Sequence, residues 1–266
     1  MDAANAGHLD EIARRLGGPS WERDRQMLTN PVFRSLAGAV GVDLASIDNA
    51  QREVLDGWAA LMQATVWFAP FGWTVSARCL KQADYIEAVA QWQHAPDQRV
   101  IDKRLTRAWA EPVWFRQAYG PLATLAGSHE PTLDHLLARN RLLEKAMEHH
   151  FRGDYEASVL IVLSQIDGLT FDFTEPSHGF FFHAKRGNFE DDSTLAGMPD
   201  VLRTVYGYVI QDPRGASLSG AFQRGPIMHG RQLAYGTEVN STKAFALLAG
   251  VVDWLRPKAA VLTEKS

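Results

Sequence analysis

Apolar residues recur at three- and four-residue spacing along most of the chain, which is the period of a helix with one buried face. Runs that alternate strictly between apolar and polar residues are scarce, and no Asn-Gly or Asp-Gly pair joins two such runs as a hairpin turn. The pattern therefore predicts an all-α protein. In the first half, proline and glycine interrupt the period and delimit four predicted helices, Asp48–Phe68, Thr74–Gln93, Gln98–Ala110 and Pro112–Ala126.

Four more helices are predicted in the second half, over Pro131–His150, Tyr155–Phe173, Pro199–Ile210 and Thr242–Leu255. Asp154 is the expected N-cap of the second of these. The last is expected to begin after Asn240 or Ser241 and to end before Pro257, because proline disrupts a helix interior. Its apolar face is broad, so it is expected to pack inside a bundle.

Asp167 has a distinctive position on the predicted helix Tyr155–Phe173. It projects about 100° from the centre of the apolar stripe, taking about 100° per residue. An acid at the edge of a buried interface can face a cleft. The stripe consists of Val159, Val162, Leu163, Ile166, Leu169 and Phe173.

The predicted organisation has three parts: a helical, tryptophan-rich N-terminal region over 1–130 with no role evident, a helical bundle over 131–258, and a frayed tail over 259–266. Tryptophan rings most often fill gaps between crossing helices, and a stacking platform for bases or another ligand is the alternative. The first half contains all but one of the tryptophans, namely Trp21, Trp58, Trp67, Trp73, Trp92, Trp109 and Trp114.

Between 174 and 198 the helical period disappears. A connection of this length within a compact domain is either a lid or binding loop, or a linker. His178 and His183 lie in it, and zinc could be bound there, but neither a neighbouring cysteine nor a His-Glu-x-x-His spacing accompanies them.

The only cysteine is Cys79, so no internal disulfide can form and a reducing compartment is expected. Residues 1–16 lack the apolar core of a signal peptide, and no charge-free apolar run reaches the roughly 18 residues that cross a bilayer. These features predict a cytoplasmic location without membrane attachment. The net charge of −4 argues against a large non-specific DNA-binding surface.

One segment of the second half combines side chains suited to phosphate chemistry. Arg224 and His229 lie five positions apart, and Gly225-Pro226 fits a helix N-terminus, where proline is tolerated. Arginine grips phosphate oxygens with a planar fork, while histidine can move a proton on or off a hydroxyl near neutral pH. Residues 201–260 carry seven basic and three acidic side chains, which fits either a phosphate-facing surface or a solvated helix face.

Other catalytic classes lack their motifs. The sequence contains no Gly-x-Ser-x-Gly elbow, no phosphate-binding loop ending in Gly-Lys-Ser/Thr, and no Gly-x-Gly-x-x-Gly after a strand. No cofactor is therefore expected. Cys79 lies inside a predicted helix, where a buried role is expected instead of a nucleophilic one.

The Arg224-x-x-x-x-His229 motif, followed by a polar loop and an apolar terminal helix and preceded by the helix carrying Asp167, resembles the HEPN superfamily. The resemblance covers roughly His135 to Lys258. It implies a four- or five-helix bundle that forms a homodimer through its motif helices and cuts RNA without a metal. It also implies a role as a toxin or phage-defence effector, with an antitoxin or defence protein as a possible partner.

Carried over residue by residue, Arg224 and His229 match the catalytic pair of the family, and Asp167 matches the acidic or polar residue on a preceding helix. The sequence departs from the family in one place, because the residue after the arginine is Gly225 where many active members have a polar one. Two readings remain open: a ribonuclease that leaves 2′,3′-cyclic phosphate ends, and a non-catalytic helical module that binds RNA, a nucleotide or a protein. These residues also have a purely structural alternative, in which Arg224 and Asp167 form an ion pair and His229 caps the motif turn.

Overall fold

The computed structural model describes residues 63–64, 67–76, 79, 82–126, 131–173 and 223–264. Every regular element within these ranges is helical, and they contain no strand, so the all-α prediction is confirmed. Short 3-10 turns occur at Ala69–Phe71 and Gly120–Leu125. The α-helices are α1 (Gln82–His94), α2 (Gln98–Ala108), α3 (Pro112–Tyr119), α4 (Leu133–Arg152), α5 (Tyr155–Asp172), α6 (Arg224–Met228) and α7 (Glu238–Glu264).

Helix α7 lies at the centre of the described fold. Residues 241–252 are all buried, so this helix packs on every side over that stretch, and its sequence is apolar from Ala244 onward there. Its neighbours are α5, α3, α2 and the turn Gly120–Leu125, while α4 packs against α5 on the outside. The prediction that the terminal helix lies inside a bundle is confirmed.

Local sequence signals explain several helix ends. The Asp97 carboxylate accepts a hydrogen bond from the Arg99 N–H at 2.8 Å and caps α2. Thr132 caps α4 in the same way, through the His135 N–H. Gly153 ends α4 at φ 85°, a left-handed conformation that favours glycine. The predicted boundaries of α2, α4 and α5 are confirmed within about two residues, the usual uncertainty of a helix end.

The predicted start of the helix Thr74–Gln93 is wrong. Gly72 adopts φ 85° and Trp73 to Ser76 are irregular, so α1 begins only at Gln82. The buried side chains of this segment bind elsewhere in the fold: Trp73 Nε1 donates to Asp102 at 2.7 Å, and the Ser76 hydroxyl donates to Asp253 at 2.7 Å. These tertiary contacts outweigh the local helical pattern.

The predicted end of the last helix is also wrong. Helix α7 begins at Glu238 and continues through Pro257 to Glu264, so residues 259–264 of the predicted tail have helical backbone. Proline removes one hydrogen bond from a helix interior without excluding the helix on both sides.

Chain contacts group Met1–Ala60 and Leu61–Ser266 as two units, and every described residue belongs to the second. The domain boundary predicted at residue 130 falls inside this unit and stays a prediction. The predicted helix Pro199–Ile210, the segment 174–198 and most of the predicted helix Asp48–Phe68 lie outside the described residues. No helix among the described residues is long and apolar enough to cross a membrane.

The described tryptophans of the first half belong to the core, as the packing interpretation predicts. Trp73 and Trp109 are buried, and Trp67, Trp92 and Trp114 are partly buried against the same core. Trp92 contacts the rings of Phe68 and Phe71, which joins α1 to the turn before it. Trp21 and Trp58 lie outside the described residues.

A buried charge ties the first half to α7. Lys243 has no exposed surface, and its Nζ lies 2.9 Å from Asp102 Oδ1 and 5.4 Å from the centre of the Trp73 ring. The angle of the Asp102 contact leaves Nζ without a well-directed hydrogen bond among the described residues. Burial lowers the pKa of Lys243, and the Asp102 carboxylate acts in the opposite direction.

We expect Asp102→Ala to lower the free energy of unfolding by about 3–5 kcal/mol, because it leaves a buried ammonium uncompensated. Lys243→Met should cost less, since Asp102 keeps the Trp73 and Gln98 donors and some solvent contact. Urea unfolding at neutral pH measures both, with the exposed neighbour Lys103→Met as control. An Asp102→Ala protein within about 1 kcal/mol of the parent would contradict this account of the ion pair.

Candidate active site at Arg224, Asp167 and His229

Helix α6 is a single turn that positions the motif. Gln223 is its extended N-cap residue, and Gly225 and Pro226 occupy the first turn, as predicted. The Pro226 carbonyl accepts the N–H groups of Arg231 at 2.7 Å and Gln232 at 3.1 Å, which turns the chain back after the helix. The Gln232 side chain in turn accepts the Gln223 N–H at 3.1 Å and closes the loop.

Arg224 and Asp167 meet although 57 residues separate them in the sequence. Arg224 Nη2 donates to Asp167 Oδ2 at 2.8 Å, and the two side chains are 19% and 22% exposed. Asp167 lies at the margin of the buried face of α5, which agrees with the edge position predicted for it. The pair therefore joins α6 to α5 and holds the guanidinium at a partly open surface.

Burial raises the pKa of Asp167, and the charge and hydrogen bond of Arg224 offset part of this effect. The carboxyl therefore takes up a proton at a higher pH than an ordinary aspartate does. Once it is protonated, its attraction for the guanidinium weakens. A group that binds Arg224 from solution then competes with a weakened partner.

His229 follows the last residue of α6, and its backbone N–H donates to the Gly225 carbonyl at 3.0 Å. Its side chain is exposed. Among the described residues, no hydrogen bond or ion pair connects its imidazole to Arg224 or Asp167. The structure thus brings two of the three predicted site residues, Arg224 and Asp167, into contact, and it leaves His229 exposed at the end of the helical turn that begins with Arg224.

A second polar cluster, which was not predicted from the sequence, lies on α5 around Asp172 and Gln165. Asp172 Oδ2 accepts Arg139 Nη2 at 2.7 Å and Nε at 3.0 Å, and it lies 3.3 Å from His135 Nε2. Arg139 Nη1 also donates to Gln165 Oε1 at 3.0 Å. Arg139 and Asp172 are nearly buried, whereas His135 is 45% exposed.

Gly168 explains how the Arg139 guanidinium reaches this position. A Cβ atom added at Gly168 would fall on the guanidinium group, within 2.8 Å of its Cζ. A glycine inside a helix lowers the stability of the helix by about 1 kcal/mol relative to alanine. The glycine in the middle of α5 was therefore the sequence signal that another group lies close to the backbone there. The neighbouring Asp167 pairs with Arg224. Two arginines from different helices therefore lie against adjacent positions of α5.

A third polar group is enclosed by aromatic rings. His150 Nδ1 lies 2.8 Å from the Ser241 hydroxyl, which lies 2.8 Å from the Ser158 hydroxyl, and all three residues are buried. The Phe115 ring centre is 4.4 Å from that of His150. Burial lowers the pKa of His150 to about 4, so this imidazole is a weak base, and the contact joins α4, α5 and α7 in the interior.

Within the part of the chain that the structure describes, no group of three or more histidine, cysteine, aspartate or glutamate side chains is placed to hold a metal ion. His178 and His183 lie outside it. Comparison with known families, curated proteins and solved structures finds no match to this chain.

The contact at Gly168 predicts the sign of a substitution. Gly168→Ala should destabilise the protein by about 1–2 kcal/mol, although alanine favours a helix, because the new methyl displaces Arg139 from Asp172 and Gln165. Gly120→Ala is the matched control, since nothing lies within 4 Å of a Cβ there. In a double-mutant cycle, Arg139→Ala should remove most of the cost. A stabilised Gly168→Ala protein would exclude the steric contact.

His150 predicts a dependence of stability on acid. Its folded-state pKa of about 4 lies below the ordinary 6.5, so the unfolded chain binds a proton that the folded chain does not. His150 therefore does not change the free energy of unfolding above about pH 6.5. At lower pH it reduces the free energy of unfolding, by about 2 kcal/mol at pH 5. Urea unfolding of the parent and of His150→Gln, with the exposed His94→Gln as control, measures this term. An equal acid response in parent and His150→Gln would contradict it.

Proposed function

We propose that the chain is a metal-independent endoribonuclease of the HEPN type, acting as a toxin or phage-defence effector. His229 removes the proton from a ribose 2′-hydroxyl, whose oxygen attacks the adjacent phosphorus, and the 5′-oxygen of the next nucleotide leaves and takes up a proton from water. Arg224 stabilises the charge that develops on the phosphorane. The products carry 2′,3′-cyclic phosphate and 5′-hydroxyl ends.

The observation that carries the proposal is the contact between Arg224 and Asp167, together with the exposed side chain of His229 at the end of the same helical turn as Arg224. A guanidinium at a partly open surface, held by a carboxylate from another helix, is suited to bind a phosphate in one orientation. An exposed imidazole at the end of the same helical turn is suited to exchange a proton with the substrate. In this proposal Asp167 positions Arg224.

The proposal includes a homodimer in which the motif segments of two copies share one cleft, and it allows a partner protein such as an antitoxin. Two exposed apolar side chains fit such a contact: Met228, the last residue of α6, is 47% exposed, and Leu233, in the loop that follows, is 80% exposed. An isologous interface would bring both Arg-His pairs together.

A non-catalytic helical module that binds RNA, a nucleotide or a protein partner is the second candidate. The same ion pair favours it. A contact at 2.8 Å between two mostly covered side chains fastens α6 to α5, and this structural role requires no catalysis. Gly225 and Pro226 also supply no polar side chain beside Arg224.

The decisive test is cleavage of structured and unstructured RNAs by purified protein, with DNA as control. We expect cleavage that persists in EDTA and falls by roughly 10²-fold or more in His229→Ala, the usual scale for loss of a general acid or base. Arg224→Lys should also be poor, because a point charge does not replace the planar fork. Asp167→Asn should lose less, since it can still accept a hydrogen bond from Arg224.

His94→Ala serves as the matched control, because it removes an exposed histidine on α1 that belongs to neither polar cluster of α5. Unchanged cleavage in His229→Ala would reject this active site. Absence of cleavage on every RNA would favour the non-catalytic module. Light scattering on the same samples reports the expected dimer, and a monomer at tens of micromolar would contradict that part of the proposal.

A further inference from the structure

Helices α1 and α2 enclose a groove of about 480 Å³ that is separate from the site at Arg224. Its size is within the range of small-molecule sites. It has polar groups of both signs together with an apolar wall, and its main lining residues are Asp84, Gln91, Val100, Lys103, Arg104 and Arg107.

The fold gives α2 a cationic outer face. This helix carries four basic residues, Arg99, Lys103, Arg104 and Arg107, and a single acid, Asp102. Asp102 faces the interior, where it pairs with buried Lys243 and accepts the Trp73 N–H. No acid of α2 itself is therefore left to neutralise the side chains that line the groove.

Arg104 spans the groove to α1. Its Nε donates to Gln91 Oε1 at 2.7 Å, and its Nη1 pairs with Glu87. Lys103 and Arg107 line the same groove, lie four residues apart on one face of α2, and are both exposed. Among the described residues, neither has an ion-pair partner, so this pair of cations is available to an anion.

We propose that the groove binds a nucleoside phosphate, either free or as one unit of an RNA strand. Lys103 and Arg107 hold the phosphate. Asp84 accepts hydrogen bonds from ribose hydroxyls or a base amine, and the Gln91 amide nitrogen donates to a base carbonyl. The mixed lining favours this ligand over a polyanion without hydrogen-bond donors, because Asp84 would repel an entirely negative chain.

This site does not depend on the proposed nuclease, so its test is a binding measurement on the His229→Ala protein, in which RNA stays intact if the nuclease proposal holds. The probe is a fluorescein-labelled oligoribonucleotide followed by anisotropy. We expect Lys103→Glu/Arg107→Glu to weaken binding at least tenfold and to reduce the salt dependence by about one phosphate contact.

The matched control is Arg141→Glu/Lys145→Glu on α4, which reverses two exposed cations at the same spacing but beside Glu144 and Glu148. It should change binding by less than about twofold. An equal loss in the control would overturn the proposal, because the effect would then reflect total charge. Circular dichroism establishes that both variants are folded.

Competition identifies the source of the ligand. Displacement of the probe by adenosine monophosphate supports a site for free nucleotides, while binding of the strand without such displacement supports an RNA unit. Displacement by polyglutamate as effective as by RNA would overturn the proposal in favour of an acidic protein partner. Failure of both RNA and the nucleotide to bind at millimolar concentration would also overturn it. None of these results depends on whether His229→Ala lowers cleavage.

Discussion

The described fold depends on how it accommodates the charge of Lys243. An ammonium without solvent contact is stable only beside a compensating charge, and Asp102 supplies it from α2 while the face of Trp73 lies 5.4 Å away. Hydrophobic burial alone would let α7 slide or rotate among similar apolar neighbours. An ion pair at one position of α7 restricts the register of α2 and of the segment at Trp73 against it.

The same interaction determines the charge of the opposite face of α2. Because Asp102 points inward, the charged side chains that α2 contributes to the groove against α1 are all cationic, and the acid among the lining residues, Asp84, comes from α1. The only acid of α2 is thus used to neutralise Lys243 in the interior, and the exposed face of α2 keeps an excess of positive charge. The net charge of the chain, −4, gives no indication of this separation, since it sums over residues without regard to the faces that carry them.

Features of the fold that depend on local periodicity can be predicted from the sequence. Features that depend on contacts between residues distant in the sequence cannot. Repeated apolar spacing and the proline and glycine breaks are local signals, so the helical class and several helix boundaries follow from them. Asp167 could be placed at the edge of α5 for the same reason. The partner of His150, in contrast, lies 91 residues away, and the segment at Trp73 is irregular because it binds α2 and α7. Pro257 does not end α7, because a proline removes one backbone hydrogen bond while the helical backbone continues on both sides of it.

In the proposed ribonuclease, the Arg224–Asp167 contact has a structural role before the substrate binds and a chemical role afterwards. With no substrate, the carboxylate keeps the guanidinium in place and satisfies its charge, so α6 stays attached to α5. An RNA phosphodiester carries one negative charge, as a carboxylate does, and it also accepts both N–H groups of the fork, so it can compete with Asp167 for the arginine. Because burial raises the pKa of Asp167, this aspartate can take up a proton more readily than an exposed one when the phosphate displaces it. In the proposed ribonuclease, Asp167 holds the arginine in place until a substrate phosphate displaces it, and the raised pKa of the carboxyl favours that exchange.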